Sequence, residues 1–517
     1  MSNKIYPIGI QNFEKIRQDG YFYVDKTALM YQMVKTGSYY FLSRPRRFGK
    51  SLLISTLEAY FQGKKELFAG LMVEKLEKDW IEHPILHLDL NIEKYDVPES
   101  LDNILDKSLT AWEKLYGAEP SERSFSLRFA GIIERAYEKT GQRVVILVDE
   151  YDKPMLQAIG NEDLQKQFRD TLKPFYGALK TKDGCIKFAL LTGVTKFGKV
   201  SVFSDLNNLK DISMDERFVD ICGITEKEIH DNLEEELHQL AEKQKMSYEQ
   251  VCAELKECYD GYHFVEHTIG IYNPFSLLNT FDKMKFGSYW FETGTPTYLV
   301  NLLKKHHYDL ERMAHEETDE QVLNSIDSES SNPIPVIYQS GYLTIKGYDE
   351  EFGIYRLGFP NREVEEGFVR FLLPYYANVN KVESPFEIQK FVREVRSGDY
   401  DSFFRRLQSF FADTTYEVIR DQELHYENVL FIVFKLVGFY TKVEYHTSEG
   451  RIDLVLQTDK FIYIMEFKLN GSAEEALQQI KDKHYALPFA TDGRKLFQIG
   501  INFSAETRNI EKWIVEA

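Results

Sequence analysis

Residues 39–61 read Tyr39-Tyr40-Phe41-Leu42-Ser43, then Arg44-Pro45-Arg46-Arg47-Phe48-Gly49-Lys50-Ser51, then LLISTLEAYF. The first five residues are a short apolar run of the kind a buried strand needs, and LLISTLEAYF places Leu53, Leu57 and Tyr60 on one helical face. Strand, loop, Gly-Lys-Ser and helix in this order form the context of a phosphate-binding loop. The residue types suit that chemistry. Backbone N–H groups at a helix start cradle phosphate oxygens, Lys50 neutralises charge on the outer phosphates, and Ser51 is a ligand type for Mg²⁺. Arg47, Phe48 and Leu52 flank Gly49, Lys50 and Ser51 and complete the expected nucleotide-contacting set. Arg44 stands where the pattern GxxxxGK[ST] has its first glycine. The loop is therefore expected to be tighter or differently shaped, and its three arginines add positive charge that a phosphate could use.

A second apolar run, Val144-Val145-Ile146-Leu147-Val148, ends in Asp149-Glu150, with Asp149 lying 99 residues beyond Lys50. Asp149 is expected in a metal shell and Glu150 as the base that orients an attacking water. A third run, Phe188 to Leu191, ends in Thr192, a hydroxyl placed to sense a terminal phosphate, with Thr195 as the alternate. Each motif alone has an ordinary explanation: Gly-Lys-Ser occurs by chance, and a strand ending in Asp-Glu can simply meet solvent. Their order and spacing favour one nucleotide site built from three strand ends. Arg169 is a candidate arginine finger, with a solvated arginine as the alternative.

The composition fits this reading. The chain has 517 residues, enough for about three domains at roughly 100 to 200 residues each, and its 43% hydrophobic and 28% charged content with only 15 prolines is that of an ordered globular protein. The net charge is 63 − 82 = −19, which opposes indiscriminate adhesion to nucleic acid or anionic membrane, so any polyanion site must be local. Four cysteines without a CxxC pair suit a reducing, cytoplasmic setting. No run of about 18 apolar residues appears, and no membrane span is expected. Up to about residue 215, continuous apolar runs alternate with amphipathic stretches, implying a parallel sheet sandwiched by helices. Residues 216–375 turn to charged helical sequence (EKEIHDNLEEELHQLAEKQK) and then short strands such as YLTIKGYD and YRLGF. From 376 onward helices lead into alternating strands, a third α/β unit. The fold class expected is thus α/β multidomain, divided as 1–215, 216–375 and 376–517.

Near the C-terminus, strands at Ile452 to Leu456 and Phe461 to Lys468 flank the turn Thr458-Asp459-Lys460. Period two places Glu466 and Lys468 on one face and Phe467 on the other, and the hairpin brings Asp453 near Glu466. Two carboxylates and a lysine on one sheet face suit hydrolysis of phosphodiesters: Asp453 and Glu466 as ligands of a divalent metal, Lys468 positioning or activating water. The alternative is a structural ion cluster. Charged residues inside a run that otherwise reads as buried need partners. Gln479 and Tyr485 on the following helix and Glu423 and Glu427 on the preceding one are further candidates for that face, Gln479 the foremost, but polar residues on a wet surface are the favoured reading of each. The aromatic residues Tyr259, Tyr262, Trp290 and Phe291 read as packing, with a base-stacking platform as the alternative.

The motifs RPRRFGKSLL, ILVDEYDKP, LLTGVTKFGKVSVFSDLNNLKDIS, CYDGYHF, IYNPFSLLN, SYWFETGTP, YLTI, GRIDLVL and MEFKLNGSAEEALQQIKDKHYA together resemble bacterial AAA-ATPase-like proteins that carry a C-terminal PD-(D/E)XK nuclease-superfamily domain. The resemblance covers nearly the whole chain, and the family pattern tolerates Arg at the first P-loop glycine. It implies an ATP-binding AAA-like core, a helical and winged-helix-like middle and a restriction-endonuclease-like end. Nucleotide roles then fall on Gly49, Lys50, Ser51, Asp149 and Glu150, and nuclease roles on Asp453, Glu466 and Lys468. Ile452 stands where the family name has proline. The function expected is an ATP- and Mg²⁺-dependent ATPase coupled to a metal-dependent nuclease-type domain acting on DNA. The alternatives are a nucleotide-switched module whose nuclease-like domain only grips nucleic acid or protein, and an ATP-dependent regulator without nucleic-acid contact.

Overall fold

The computed structural model describes residues 4–196, 208–291, 297–324, 332–377, 379–380, 383–411, 422–448, 451–469, 471–504 and 506–517; at 297–298, 314, 385, 422–423, 445–448, 451–453 and 469 only the backbone is described. Two compact units result, one of Met1–Gly294 with Glu316–Glu363, the other of Thr295–His315 with Val364–Ala517.

The first unit is built on a parallel sheet of β1 (Tyr39–Ser43), β2 (Ile85–Asp89), β3 (Val144–Asp149), β4 (Ile186–Gly193) and β5 (Lys210–Asp211), in the order β2-β3-β4-β1-β5. Every residue of the central strands β1 and β3 is buried, whereas the edge strand β2 alternates. That contrast follows from helices covering both faces of the inner strands. The helix Lys50–Phe61 packs on β3 and β4. The helices Pro98–Tyr116, Phe125–Thr140 and Glu162–Thr181 pack on one another, with Phe129 and Phe175 stacked at 4.4 Å. The charged segment forms the helix Glu226–Gln244, started by a capping box between Thr225 and Glu228, and a second helix Tyr248–Tyr259 returns along it. Leu233, Leu237, Leu240, Val251 and Leu255 form their common core. A small antiparallel sheet follows, β6 (Glu317–Asp319), β7 (Thr344–Asp349) and β8 (Ile354–Gly358), in the order β6-β8-β7.

The second unit carries a mixed sheet of β9 (Lys442–Ser448), β10 (Arg451–Gln457), β11 (Phe461–Leu469), β12 (Lys495–Ser504) and β13 (Asn509–Glu516) in the order β13-β12-β11-β10-β9. β11 and β12 are parallel and the other pairs antiparallel. A parallel neighbour demands a crossover, which the helix Ala473–Asp482 supplies. Alternation then divides β11. Ile462 and Ile464 pack with Ile480 of the crossover helix. Tyr463 and Phe467 turn to the other side, where the Tyr463 hydroxyl donates to Val395 O at 2.7 Å and Phe467 meets Phe434. No helix among the described residues is long and apolar enough to cross a membrane. The architecture is the expected one: a parallel α/β sheet, a helical middle and a C-terminal mixed-sheet domain.

Candidate functional site

Gly49 ends the loop after β1 at φ 101° and caps the helix Lys50–Phe61. That left-handed conformation suits a residue without Cβ. The first-turn N–H groups of Lys50, Ser51 and Leu52 have no carbonyl below them in the helix, which is the arrangement that receives an anion. Lys50 is buried and its Nζ donates to Arg44 O at 3.0 Å and Pro45 O at 3.3 Å, while Glu150 Oε1 lies 3.6 Å away. Arg47 is exposed at φ 66°, with its guanidinium over the Phe275 ring. Phe48 is buried against Tyr262 and Phe264, and its carbonyl accepts from Gly223 N–H.

Arg44 departs from the expectation that it offers charge to a phosphate. Its guanidinium is 1% exposed, donates to the carbonyls of Ser43, Ser213, Phe218 and Val219, and stacks 4.0 Å over Phe264. Burial pulls its pKa down to about 10. The side chain that replaces glycine is thus a brace between the loop and the chain after β5, turned into the protein because carbonyl dipoles there replace its hydration. The positive charge facing outward comes from Arg46 and Arg47.

β4 lies between β1 and β3, with Leu42 opposite Thr192 and Val148 opposite Leu191. Thr192 therefore reaches both strand ends, and its hydroxyl donates to Asp149 Oδ1 at 2.6 Å. Both residues are buried. Thr195, the alternate, bonds instead to Asp152. Asp152 has no exposed surface, and burial, with the Glu150 charge second, pushes its carboxyl well above the ordinary carboxylate range. Sequence reasoning missed Asp152. Its partners lie 42 and 43 residues away, and no local pattern announces them. It also missed an apolar cavity of about 100 Å³ beside the loop, lined by Phe22, Tyr23, Leu52, Cys222, Ile224 and Leu278 among others. A glycine-capped helix start, a buried lysine and an apolar cavity side by side are of the kind a nucleotide site uses, N–H donors at the helix start for phosphates and an apolar surface for a flat base. Ser51 and Asp149 supply oxygen donors of the type Mg²⁺ takes.

In the second unit, the antiparallel register sets Asp453 directly opposite Glu466, and Arg451 opposite Lys468. Opposed residues share a face, so the backbone gathers Asp453, Glu466 and Lys468 as expected; the Asp453 side chain lies outside the described ones. Glu466 has no exposed surface and Lys468 is half-buried. Glu466 faces Gly500 across the parallel pair, where a Cβ would stand 2.2 Å from Ala473 O. The glycine lets the crossover helix lie close over the acidic residue. Gln479 is half-buried on that helix, and the Glu423 side chain lies outside the described ones. Among the described residues no group of three His, Cys, Asp or Glu side chains is placed to hold a metal. Oxygen ligands from Asp453 and Glu466 would suit a hard divalent ion. Tyr259, Tyr262, Trp290 and Phe291 are all buried, which favours packing over a stacking platform.

Residues 7–203 match the family model of AAA-ATPase-like proteins, described as predicted AAA-ATPase, and residues 421–513 match the PD-(D/E)XK nuclease superfamily. A protein described as an uncharacterized protein in the vnfD 5′ region, from Azotobacter chroococcum mcd 1, is 35% identical over 533 residues, covering 100% of both chains. The chain belongs to the AAA-ATPase-like proteins that end in a PD-(D/E)XK nuclease-superfamily domain. The glycine-capped loop and the tied ends of β3 and β4 fall within the first match, and the hairpin of β10 and β11 within the second.

Proposed function

We propose that this chain binds ATP with Mg²⁺ and hydrolyses the nucleotide, and that nucleotide state governs a metal-dependent nuclease-type domain acting on DNA. The observation that carries the ATPase part is the convergence beneath the loop of Lys50 with Glu150 and of Thr192 with Asp149. Arg47 to Leu52 would line the phosphates, Ser51 and Asp149 would hold Mg²⁺, Glu150 would orient water and Thr192 would sense the terminal phosphate. Bound Mg²⁺ would neutralise charge on the phosphates. At the other end Asp453 and Glu466 would hold the second metal, with Lys468 positioning water.

A second reading keeps the nucleotide switch but makes the nuclease-like domain a binding module for nucleic acid or protein. The complete burial of Glu466 supports it, since a carboxylate closed in by its neighbours offers fewer open positions to a divalent ion and the phosphodiester it would carry. Lys50→Ala is expected to abolish ATP turnover, and Glu466→Gln or Lys468→Ala to abolish Mn²⁺- or Mg²⁺-dependent cutting of DNA. Absence of turnover in the wild type rejects the ATPase reading. Absence of cutting and of Mn²⁺ binding selects the second reading, and DNA retention unaffected by salt rejects phosphate contact.

A further inference from the structure

One buried carboxylate has no role in the reading above. Asp152 Oδ2 accepts three hydrogen bonds from the chain just past β4: Val194 N–H at 3.0 Å, Thr195 N–H at 2.6 Å and the Thr195 hydroxyl at 2.5 Å. Its other oxygen, Oδ1, is buried with no hydrogen-bond partner among the described residues, and Gly193 approaches so closely that a Cβ there would stand 2.5 Å from it. A buried carboxylate with one bare oxygen is costly. Its neighbour adds to the same tie: Tyr151 N–H donates to Thr192 O at 2.9 Å and the Tyr151 hydroxyl to Thr195 O at 2.8 Å. Between Asp149 and this tie sits Glu150 at φ 54°, a left-handed conformation that persists in a non-glycine residue where the surroundings over-determine it. The bonds of Tyr151 and Asp152 are what over-determine it here.

Resting on the ATPase reading, we propose that Asp152 is a positioning residue for hydrolysis. It clamps the turn after β3 to the end of β4, so that Glu150 stays turned toward Lys50 and Thr192 stays over Asp149. The hydrogen bonds of Asp152 run to Val194 and Thr195 and not to the loop Arg47–Gly49, and Asp152 does not line the apolar cavity, so loss of the clamp falls on turnover more than on nucleotide affinity. An amide oxygen accepts the same three bonds, so the clamp survives Asp152→Asn and is lost in Asp152→Ala.

The test is steady-state ATP hydrolysis by the full chain, with melting temperature as a control for folding. Asp152→Ala is expected to lower kcat about tenfold or more with KM for ATP within about threefold, whereas Asp152→Asn keeps at least about half of the wild-type kcat. Thr195→Val, which removes one of the three donors, falls between them and decides the matter if Asp152→Ala does not fold. Unchanged kcat in Asp152→Ala, kcat and nucleotide affinity falling together, or Asp152→Asn as slow as Asp152→Ala would overturn the proposal while a wild type that turns over ATP leaves the ATPase reading standing. A wild type without turnover sinks both.

Discussion

The hydroxyl of Thr192 donates to Asp149 Oδ1 at 2.6 Å, joining the ends of β4 and β3 at a buried point. Thr192→Val keeps the shape and removes the donor. It should leave the fold intact at a cost of about 1–3 kcal/mol, the penalty for an acceptor left unsatisfied. MgATP turnover should fall about tenfold, as when one positioned group is lost, and the apparent Mg²⁺ affinity should shift with it. Steady-state kinetics over a Mg²⁺ series measure both.

Arg44→Gly restores the first glycine of the P-loop pattern and would be expected from sequence to help nucleotide binding. The structure predicts the opposite. Four carbonyls lose the bond they accept from Arg44, and Phe264 loses the stacked guanidinium. Stability should drop by about 3 kcal/mol or more, the scale of several charge-assisted bonds lost at once. Urea unfolding followed by Trp fluorescence reads this directly, and nucleotide affinity should weaken rather than improve.

Gly500→Ala puts a methyl 2.2 Å from Ala473 O and 2.4 Å from Leu477 N. Both are backbone atoms of the crossover helix, so the helix must move off β12. A loss of about 1–3 kcal/mol is expected, as for overpacking in a tight core. The disturbance should appear in the melting transition of the second unit and in any metal binding at Glu466, with ATP turnover unchanged.

His425 is held neutral by burial, with Lys304 adding repulsion, and its pKa falls from 6.5 to about 4. The unfolded chain takes up this proton near 6.5 and the folded chain only near 4. Stability should therefore be full above about pH 6.5, decline as pH falls through that window, and level off near 4, by at most about 3.4 kcal/mol at 1.36 kcal/mol per pKa unit. Thermal melts of wild type and His425→Phe from pH 7 to 4 should differ in slope there. Parallel curves would show that another group carries the acid sensitivity.

How much of this was legible in the chain depends on the range of the interaction. Tyr39–Ser43, Val144–Asp149 and Ile186–Gly193 are legible as buried strands because a strand covered on both faces needs an unbroken apolar run. The Gly49 cap and the face shared by Glu466 and Lys468 are equally local, set by left-handed backbone at one residue and by the two-residue period of a strand. The opposition of Asp453 to Glu466 follows from a short turn, since hairpin register is set over a few residues.

Sequence alone thus determined the kinds of elements, the glycine-capped loop after β1 and the strand ends that carry acid. Only the tertiary structure decided that β4 separates β1 from β3 and so delivers Thr192 to Asp149. It also decided that Arg44 turns inward onto carbonyls 169 to 175 residues away, that Asp152 closes on Thr195, and that Glu466 lies sealed beneath the helix Ala473–Asp482. The reason is physical. Periodicity and turn chemistry act over a few residues, whereas the satisfaction of a buried charge depends on which distant backbone groups the packed fold brings to it.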